Sequence, residues 1–361
     1  MINVTKTFLP DFDEYVLILK KAWDKEWITN NGMLVQELEL KLKAYLGTEH
    51  FYYTTNGTIV LQMALKALNI TRQVITTPFS YVATTNAILW EGCTPVFVDI
   101  DPSTFCIDAS KIEEAITKDT EAILATHVYG LPCDIEKIEA IAAKHNLKVI
   151  YDGAHAFGCT YKGRSLLSYG DMSTCSFHAT KLFHTVEGGC IICNDQETAN
   201  KLYLFRQFGH VGDAYFSMGI NAKNSEFHAA MGLAIFPKMD EIIQARKDIF
   251  ELYNVLLKEV VKVPDYNIEN FVYNYAYYPV VFENEEKLLA VMQLLQNNGI
   301  NTRRYFYPSL NQLPYLPNKV SCPVSEEISS RVLCMPLYYD LKPEEIRQIA
   351  GFVLQCFKTN S

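Results

Sequence analysis

From about residue 50 to residue 195, short apolar runs alternate with amphipathic stretches. Short apolar runs bounded by turn signals predict strands, here at 51–54, 73–76, 94–99, 122–127, 148–152, 172–177 and 189–193. The stretches between several of them have helical spacing and predict helices at 58–68, 81–90, 109–115 and 134–145. Strands that are apolar throughout and separated by helices read as a mainly parallel sheet covered on both faces. Ligands of such sheets sit beyond the carboxyl ends of the strands. Thr54-Thr55-Asn56, Asp152 and Ser176 fall at or just past such ends.

A long helical pattern follows at 225–260, interrupted by Pro237, which removes a backbone donor and should kink or break the helix. The hinge between two domains is expected there, giving a large domain over 1–237, with an N-terminal helical segment, and a small one over 238–361. The small domain is expected to be α+β, with strands at 277–282 and 301–306 and helices at 285–298 and 343–357.

Composition narrows the function. A chain of 361 residues exceeds what one core comfortably serves, and 49% hydrophobic with 20% charged residues excludes extended disorder. A net charge of -9 argues against general affinity for nucleic acid or anionic membrane, so any phosphate must be gripped locally. Most of the ten cysteines sit in apolar runs, such as Gly188-Gly189-Cys190-Ile191-Ile192-Cys193, and read as buried reduced thiols of a cytoplasmic protein. Neither a signal peptide nor a membrane span is expected.

The chemistry gathers at the strand ends. Ser176-Phe177-His178-Ala179-Thr180-Lys181, followed by Glu187-Gly188-Gly189, sets one lysine past a strand and ahead of a Gly-Gly turn. Most lysines at such boundaries simply reach solvent. This one has company: Asp152 closes the run Val149-Ile150-Tyr151-Asp152, and Asn56-Gly57-Thr58 opens a helix. Gly57 permits close backbone approach, and free N–H groups of a first helical turn favour phosphate. The same residues equally suit an ordinary helix cap, with Asn56 or Thr58 satisfying the helix start.

An amine, a carboxylate and an anion-binding turn are the groups needed to hold pyridoxal phosphate (PLP) and run Schiff-base chemistry on it. In that reading Lys181 carries the cofactor and moves protons, Asp152 pairs with the ring nitrogen, and Ser176 gives a hydroxyl to the phosphate. His155 could pack beside the ring and Tyr81 could stack on it. A turn aspartate, a core histidine and a core aromatic are the bland alternatives. His178 and His184 read as structural or at the mouth of the site. Arg303-Arg304, beside Tyr305-Phe306-Tyr307-Pro308, are candidates for a substrate diphosphate or a solvated surface pair. No metal site is expected, and no strand is followed by G-x-G-x-x-G, which disfavours a nicotinamide dehydrogenase.

Taken together, these motifs resemble the sugar aminotransferases of the DegT/DnrJ/EryC1/StrS group. Asn56-Gly57-Thr58, Asp152-Gly153-Ala154-His155, Ser176 to Lys181 with Glu187-Gly188-Gly189, and Gly219-Ile220-Asn221-Ala222-Lys223 arrive in family order over nearly the whole chain. The resemblance implies a fold-type-I PLP-dependent transferase of aspartate aminotransferase-like architecture: a large, mainly parallel seven-stranded sheet domain plus a small α+β C-terminal domain. It implies Lys181 as the Schiff-base lysine, Asp152 as partner of the pyridine nitrogen, and His155 against the ring. Gly57, Thr58 and Ser176 would hold the phosphate, and Tyr81 matches the stacking aromatic.

Asn221 matches an asparagine that reaches the phosphate of the neighbouring subunit's cofactor, which implies a homodimer with shared active sites. Lys223 and Asn224 depart from the pattern, where Arg and an apolar residue are common; Lys keeps the charge and loses the planar fork. Within the group, Ser-Phe-His-Ala-Thr-Lys with Glu-Gly-Gly is similar to enzymes that aminate carbon 4 of dTDP-4-keto-6-deoxyglucose. L-glutamate is the usual amino donor, and the product feeds surface-polysaccharide synthesis. Amination at carbon 3 or of a UDP-linked keto-sugar is the near alternative. A PLP-dependent dehydratase on this scaffold lacks the lysine, so Lys181 disfavours it, and the Lys181/Asp152 pair disfavours a non-catalytic PLP-binding regulator.

Overall fold

The structure is a computed structural model that describes residues 1–316 and 319–358. Seven strands form one sheet: β1 (His50–Thr54), β2 (Gln73–Thr76), β3 (Thr94–Phe97), β4 (Thr120–Thr126), β5 (Lys148–Asp152), β6 (Met172–Ser176) and β7 (Gly189–Cys193). Their spatial order is β1-β7-β6-β5-β4-β2-β3. Pairings from β6 across to β3 are parallel, and β7 runs antiparallel to both β6 and β1. Every strand expected from the apolar runs of this region is present.

Successive side chains of a strand alternate faces, and here both faces are apolar. Val74, Leu124, Ile150 and Ile191 join one core cluster, while Ile75, Ile123, Val149, Tyr151 and Ile192 join the other. Helices α3 (Gly57–Ala67), α4 (Val82–Trp90) and α7 (Gln196–Phe205) cover the first face. The second is covered by α2 (Met33–Leu46), which follows α1 (Phe12–Trp23), and by α6 (Ile135–His145) and α8 (Glu226–Ile235), with the one-turn α5 (Ala109–Ile112) beside α6. The pleat also separates Cys190 from Cys193. Three residues apart on β7, they point to opposite faces, so their Cys-x-x-Cys spacing creates no pair.

Local sequence sets the helix starts that matter for the site. The Asn56 side chain accepts hydrogen bonds from the Thr58 and Ile59 amides at the start of α3, and Asp134 caps α6. Pro237 does break the long helical pattern: a 3-10 turn over Phe236–Lys238 separates α8 from α9 (Met239–Leu257).

Beyond α9 the chain forms β8 (Pro279–Val281), α10 (Glu285–Asn297), α11 (Pro323–Arg331), β9 (Val332–Cys334) and α12 (Pro343–Lys358), with β8 antiparallel to β9. The strand expected at 301–306 is a correction. Only isolated bridges form there, Ile300 to Ile2 and Arg303 to Cys334, and Val332–Cys334 takes the place beside β8. The cause is side-chain demand: Phe306 packs on Phe79, Tyr129 and His155, while Arg304 binds Glu285 and backbone carbonyls. Those contacts turn the chain out of a pleat. Among the described residues, no helix is long and apolar enough to cross a membrane, and no cluster of His, Cys, Asp and Glu could hold a metal ion.

Candidate active site

A cavity of about 250 Å³ opens past the carboxyl ends of β1, β2, β4, β5 and β6. Each strand end delivers a lining residue: Gly57 after β1, Ser80 and Tyr81 after β2, Thr126 on β4, Asp152 on β5, and Ser176 on β6. Arg303, Tyr305 and Phe306 close it from the C-terminal part of the chain.

Asp152 forms the floor. Its Oδ2 accepts from Thr84 Oγ1 at 2.7 Å and its Oδ1 from the Ala154 N–H at 3.1 Å. Burial pushes the carboxyl above its usual range; the two hydrogen bonds and the charge of Lys181 act the other way. Lys181 Nζ stands in the same cavity and donates to Tyr277 OH at 3.3 Å.

The loop that carries Lys181 is held on both sides. Ala179 N–H donates to Val186 O at 2.7 Å, and Asn224 Nδ2 grips Glu187 O at 2.9 Å, Tyr53 OH at 3.0 Å and Thr54 O at 3.2 Å. Asn224, where an apolar residue is common in the group it resembles, is therefore a clamp between β1 and this loop.

His155 packs its ring parallel to Phe306, 5.7 Å between centroids, and edge-on to Tyr277 at 4.8 Å. Its Nδ1 accepts from the Tyr129 N–H at 3.1 Å, which places the ring proton of the neutral imidazole on Nε2. Burial, helped by the Lys181 charge, holds its pKa well below the usual value, so it stays neutral.

The phosphate end is defined by close approach. A Cβ on Gly57 would stand 2.7 Å from Ser176 Cβ, and one on Gly189 would stand 2.6 Å from the Asn56 carbonyl carbon. Glycine at both positions lets the helix start, the strand end and the Gly-Gly turn meet. The Thr58 and Ile59 amides are taken by Asn56, so the ordinary cap is real. The Thr58 and Ser176 hydroxyls remain to face an anion.

The DegT/DnrJ/EryC1/StrS aminotransferase family matches residues 13–354. The chain belongs to that family. It is 40% identical over 362 residues to a dTDP-4-amino-4,6-dideoxy-D-glucose transaminase of Shigella dysenteriae, covering 98% of each chain. It is 32% identical over 338 residues to a GDP-perosamine synthase of Escherichia coli O157:H7, covering 92% of each. The solved structure of DesI, determined in the presence of its TDP-sugar product, superposes with a TM-score of 0.92 at 32% identity, covering 98% of this chain and 92% of that one.

Aminotransferases of this family are PLP-dependent, and the residues present fit that cofactor. The buried carboxylate of Asp152 suits a ring N–H, the Lys181 amine shares its cavity, and the Gly57–Ser176 contact leaves a glycine-lined cradle at the phosphate end. Gly57, Thr58, Tyr81, Asp152, His155, Ser176, Lys181 and Arg303 all line the cavity.

Four expected residues do not come to it. His184 is buried, with Nε2 on Phe8 O at 2.7 Å and Nδ1 accepting from the Val186 N–H at 3.2 Å. Arg304 binds Glu285 at 2.7 Å and Ser330 O at 2.7 Å and lies over the Tyr307 ring, which keeps both residues outside. Asn221 is exposed away from its own cavity and accepts from Lys223 Nζ at 3.0 Å.

Sequence reasoning missed Thr84, Ser80, Thr126 and Tyr277. A signal was available for the first: Thr84-Thr85-Asn86 interrupts the apolar run of a helix that faces the sheet.

Proposed function

We propose that this protein transfers the amino group of L-glutamate to carbon 4 of dTDP-4-keto-6-deoxy-D-glucose, giving dTDP-4-amino-4,6-dideoxy-D-glucose. The observation that carries the reaction class is Lys181 Nζ in one cavity with a buried, hydrogen-bonded Asp152. The choice of sugar is supported by the 40% identity to the Shigella transaminase over 98% of the chain.

Bound here, PLP supplies an aldehyde that takes up the amino group and a ring that accepts electrons. Asp152 holds the ring N–H and keeps that ring electron-poor. Lys181 Nζ moves the proton, away from the α-carbon of the donor in one half-reaction and onto carbon 4 of the sugar in the other. Tyr277 OH, at hydrogen-bond distance, orients the amine between those tasks. Arg303, whose guanidinium lies 4.7 Å from the Tyr305 ring centroid at the cavity mouth, takes an anionic group of the substrate.

We further propose a homodimer in which Asn221 reaches the partner's cavity, a domain hinge near Pro237, a cytoplasmic location, and a product used in surface polysaccharide such as O-antigen. Incubating the protein with glutamate and a panel of dTDP-, UDP- and GDP-linked keto-sugars, with NMR of the product, tests the assignment. An amine at carbon 4 of the dTDP-linked sugar is expected. Preference for another nucleotide or carbon would overturn the substrate, and no 2-oxoglutarate from glutamate would overturn the reaction.

A further inference from the structure

Three buried hydroxyls lead in series to Asp152. Thr126 Oγ1 donates to Ser80 Oγ at 3.1 Å, Ser80 Oγ lies 2.7 Å from Thr84 Oγ1, and Thr84 Oγ1 donates to Asp152 Oδ2 at 2.7 Å. They come from three places: the last residue of β4, the turn after β2, and the first helical turns of α4. None is more than 2% exposed.

The proton count fixes their direction. Each hydroxyl has a single proton. Thr84 gives its own to Asp152, so it must accept from Ser80, and Ser80 in turn accepts from Thr126. All three O–H dipoles therefore point toward the carboxylate. Aligned hydrogen bonds in a low-dielectric interior polarise one another, and the last, on an anion, is of the stronger kind.

A cation on Oδ2 would also favour the anion, but it would place a second positive charge beside a protonated ring nitrogen. Hydroxyls stabilise the carboxylate without competing for it. The other titratable groups that share the cavity are Lys181, His155, His178, Glu187, Tyr81, Tyr277, Tyr305 and Arg303, and the Lys181 charge acts in the same direction as the hydroxyls.

We propose that Thr84, backed by Ser80 and Thr126, is a positioning residue whose one-way hydroxyl relay keeps Asp152 anionic and aimed at the cofactor's ring N–H. This rests on the assignment of Asp152 as the ring-nitrogen partner, and the two can fail separately.

The test replaces Thr84 by Val, which keeps the shape and removes the hydroxyl, and by Ser, which restores it. In apoprotein with 13C-labelled aspartate, Thr84→Val should move the Asp152 titration midpoint upward, and Thr84→Ser should leave it where it is in the unsubstituted protein. In the PLP-loaded protein, the pH at which the absorption bands interconvert should move with Thr84→Val, kcat should fall roughly 10- to 100-fold, and KM should change little. Ser80→Ala, one step from the carboxylate, should do the same more weakly and serves if Val distorts α4.

A folded Thr84→Val and Ser80→Ala pair with both midpoints unchanged would overturn the relay. A folded Asp152→Asn whose loaded absorption spectrum matches that of the unsubstituted protein would overturn the Asp152 assignment instead.

Discussion

The floor of the cavity and its mouth are built in opposite ways. On the floor, Asp152, Thr84, Ser80, Thr126 and His155 are all 5% exposed or less, and each makes a side-chain hydrogen bond to a partner fixed by the sheet or an adjoining helix. At the mouth, Tyr81 is 52% exposed, and His178 and Glu187 face each other at 3.6 Å on a loop. Rigid donors placed where charge must be held do not have to reorganise during reaction, whereas loops can vary with the substrate. On this contrast we propose that the floor serves the cofactor chemistry and that the mouth, Tyr81 apart, serves the choice of sugar.

Substitutions can break that division of labour. Asp152→Asn should have a large effect, lowering turnover at least about 100-fold in both half-reactions, as removal of a fixed charge-stabilising group does. It should also stabilise the apoprotein. The folded pKa of Asp152 is raised, so the ionised carboxylate disfavours the folded state once the pH exceeds its unfolded value; the neutral amide removes that cost. A rise in Tm at neutral pH together with lost turnover is the expected pair.

Tyr277→Phe removes the hydroxyl 3.3 Å from Lys181 Nζ and leaves the ring against His155. A loss of about tenfold in kcat, again in both half-reactions, is expected from one neutral hydrogen bond. Arg303→Ala acts at the mouth. It should raise KM for the nucleotide sugar about three- to tenfold while the single-turnover rate with glutamate changes little; equal loss in both halves would erase the distinction between floor and mouth.

For turnover the smallest effect concerns the layer beneath the floor, where stability is the readout. His127 stacks on Tyr151 at 4.5 Å, its backbone N–H donates to Asp152 O at 3.0 Å, and burial lowers its pKa to about 3. Below the unfolded value of about 6.5 the unfolded chain binds a proton that the folded chain does not. Stability should therefore fall as pH drops from about 6.5 toward about 3, by up to about 1.4 kcal/mol per pH unit for this one group. Denaturant titrations across that range should show a shallower slope for His127→Gln.

The parts of the site legible in the sequence are those whose signal is local. Asp152 and Ser176 end apolar strands, Lys181 follows within one loop, and Gly57 begins a capped helix, so pattern alone brought them to one edge of a sheet. The relay and the Tyr277 contact were not legible because they join positions far apart, with Thr84 and Asp152 separated by 68 residues and Lys181 and Tyr277 by 96.

The Arg303-Arg304 pair shows the limit most plainly. Both carry the same charge, yet Arg303 lines the cavity and Arg304 is taken by Glu285. Which of two adjacent cations faces the cavity depends on a partner that α10 supplies. His184 was ambiguous for the same reason, since its partner Phe8 O arrives from the N-terminal segment 176 residues away.

The claim that supports everything else is that the cofactor is carried on Lys181 Nζ, above the anionic floor. Loading the protein with PLP, reducing with borohydride and mapping peptides by mass spectrometry tests it directly. A pyridoxyl mass on Lys181, absent after Lys181→Ala, is the predicted result. Stoichiometric label on another lysine, or PLP-loaded protein with Lys181 unmodified, would contradict it.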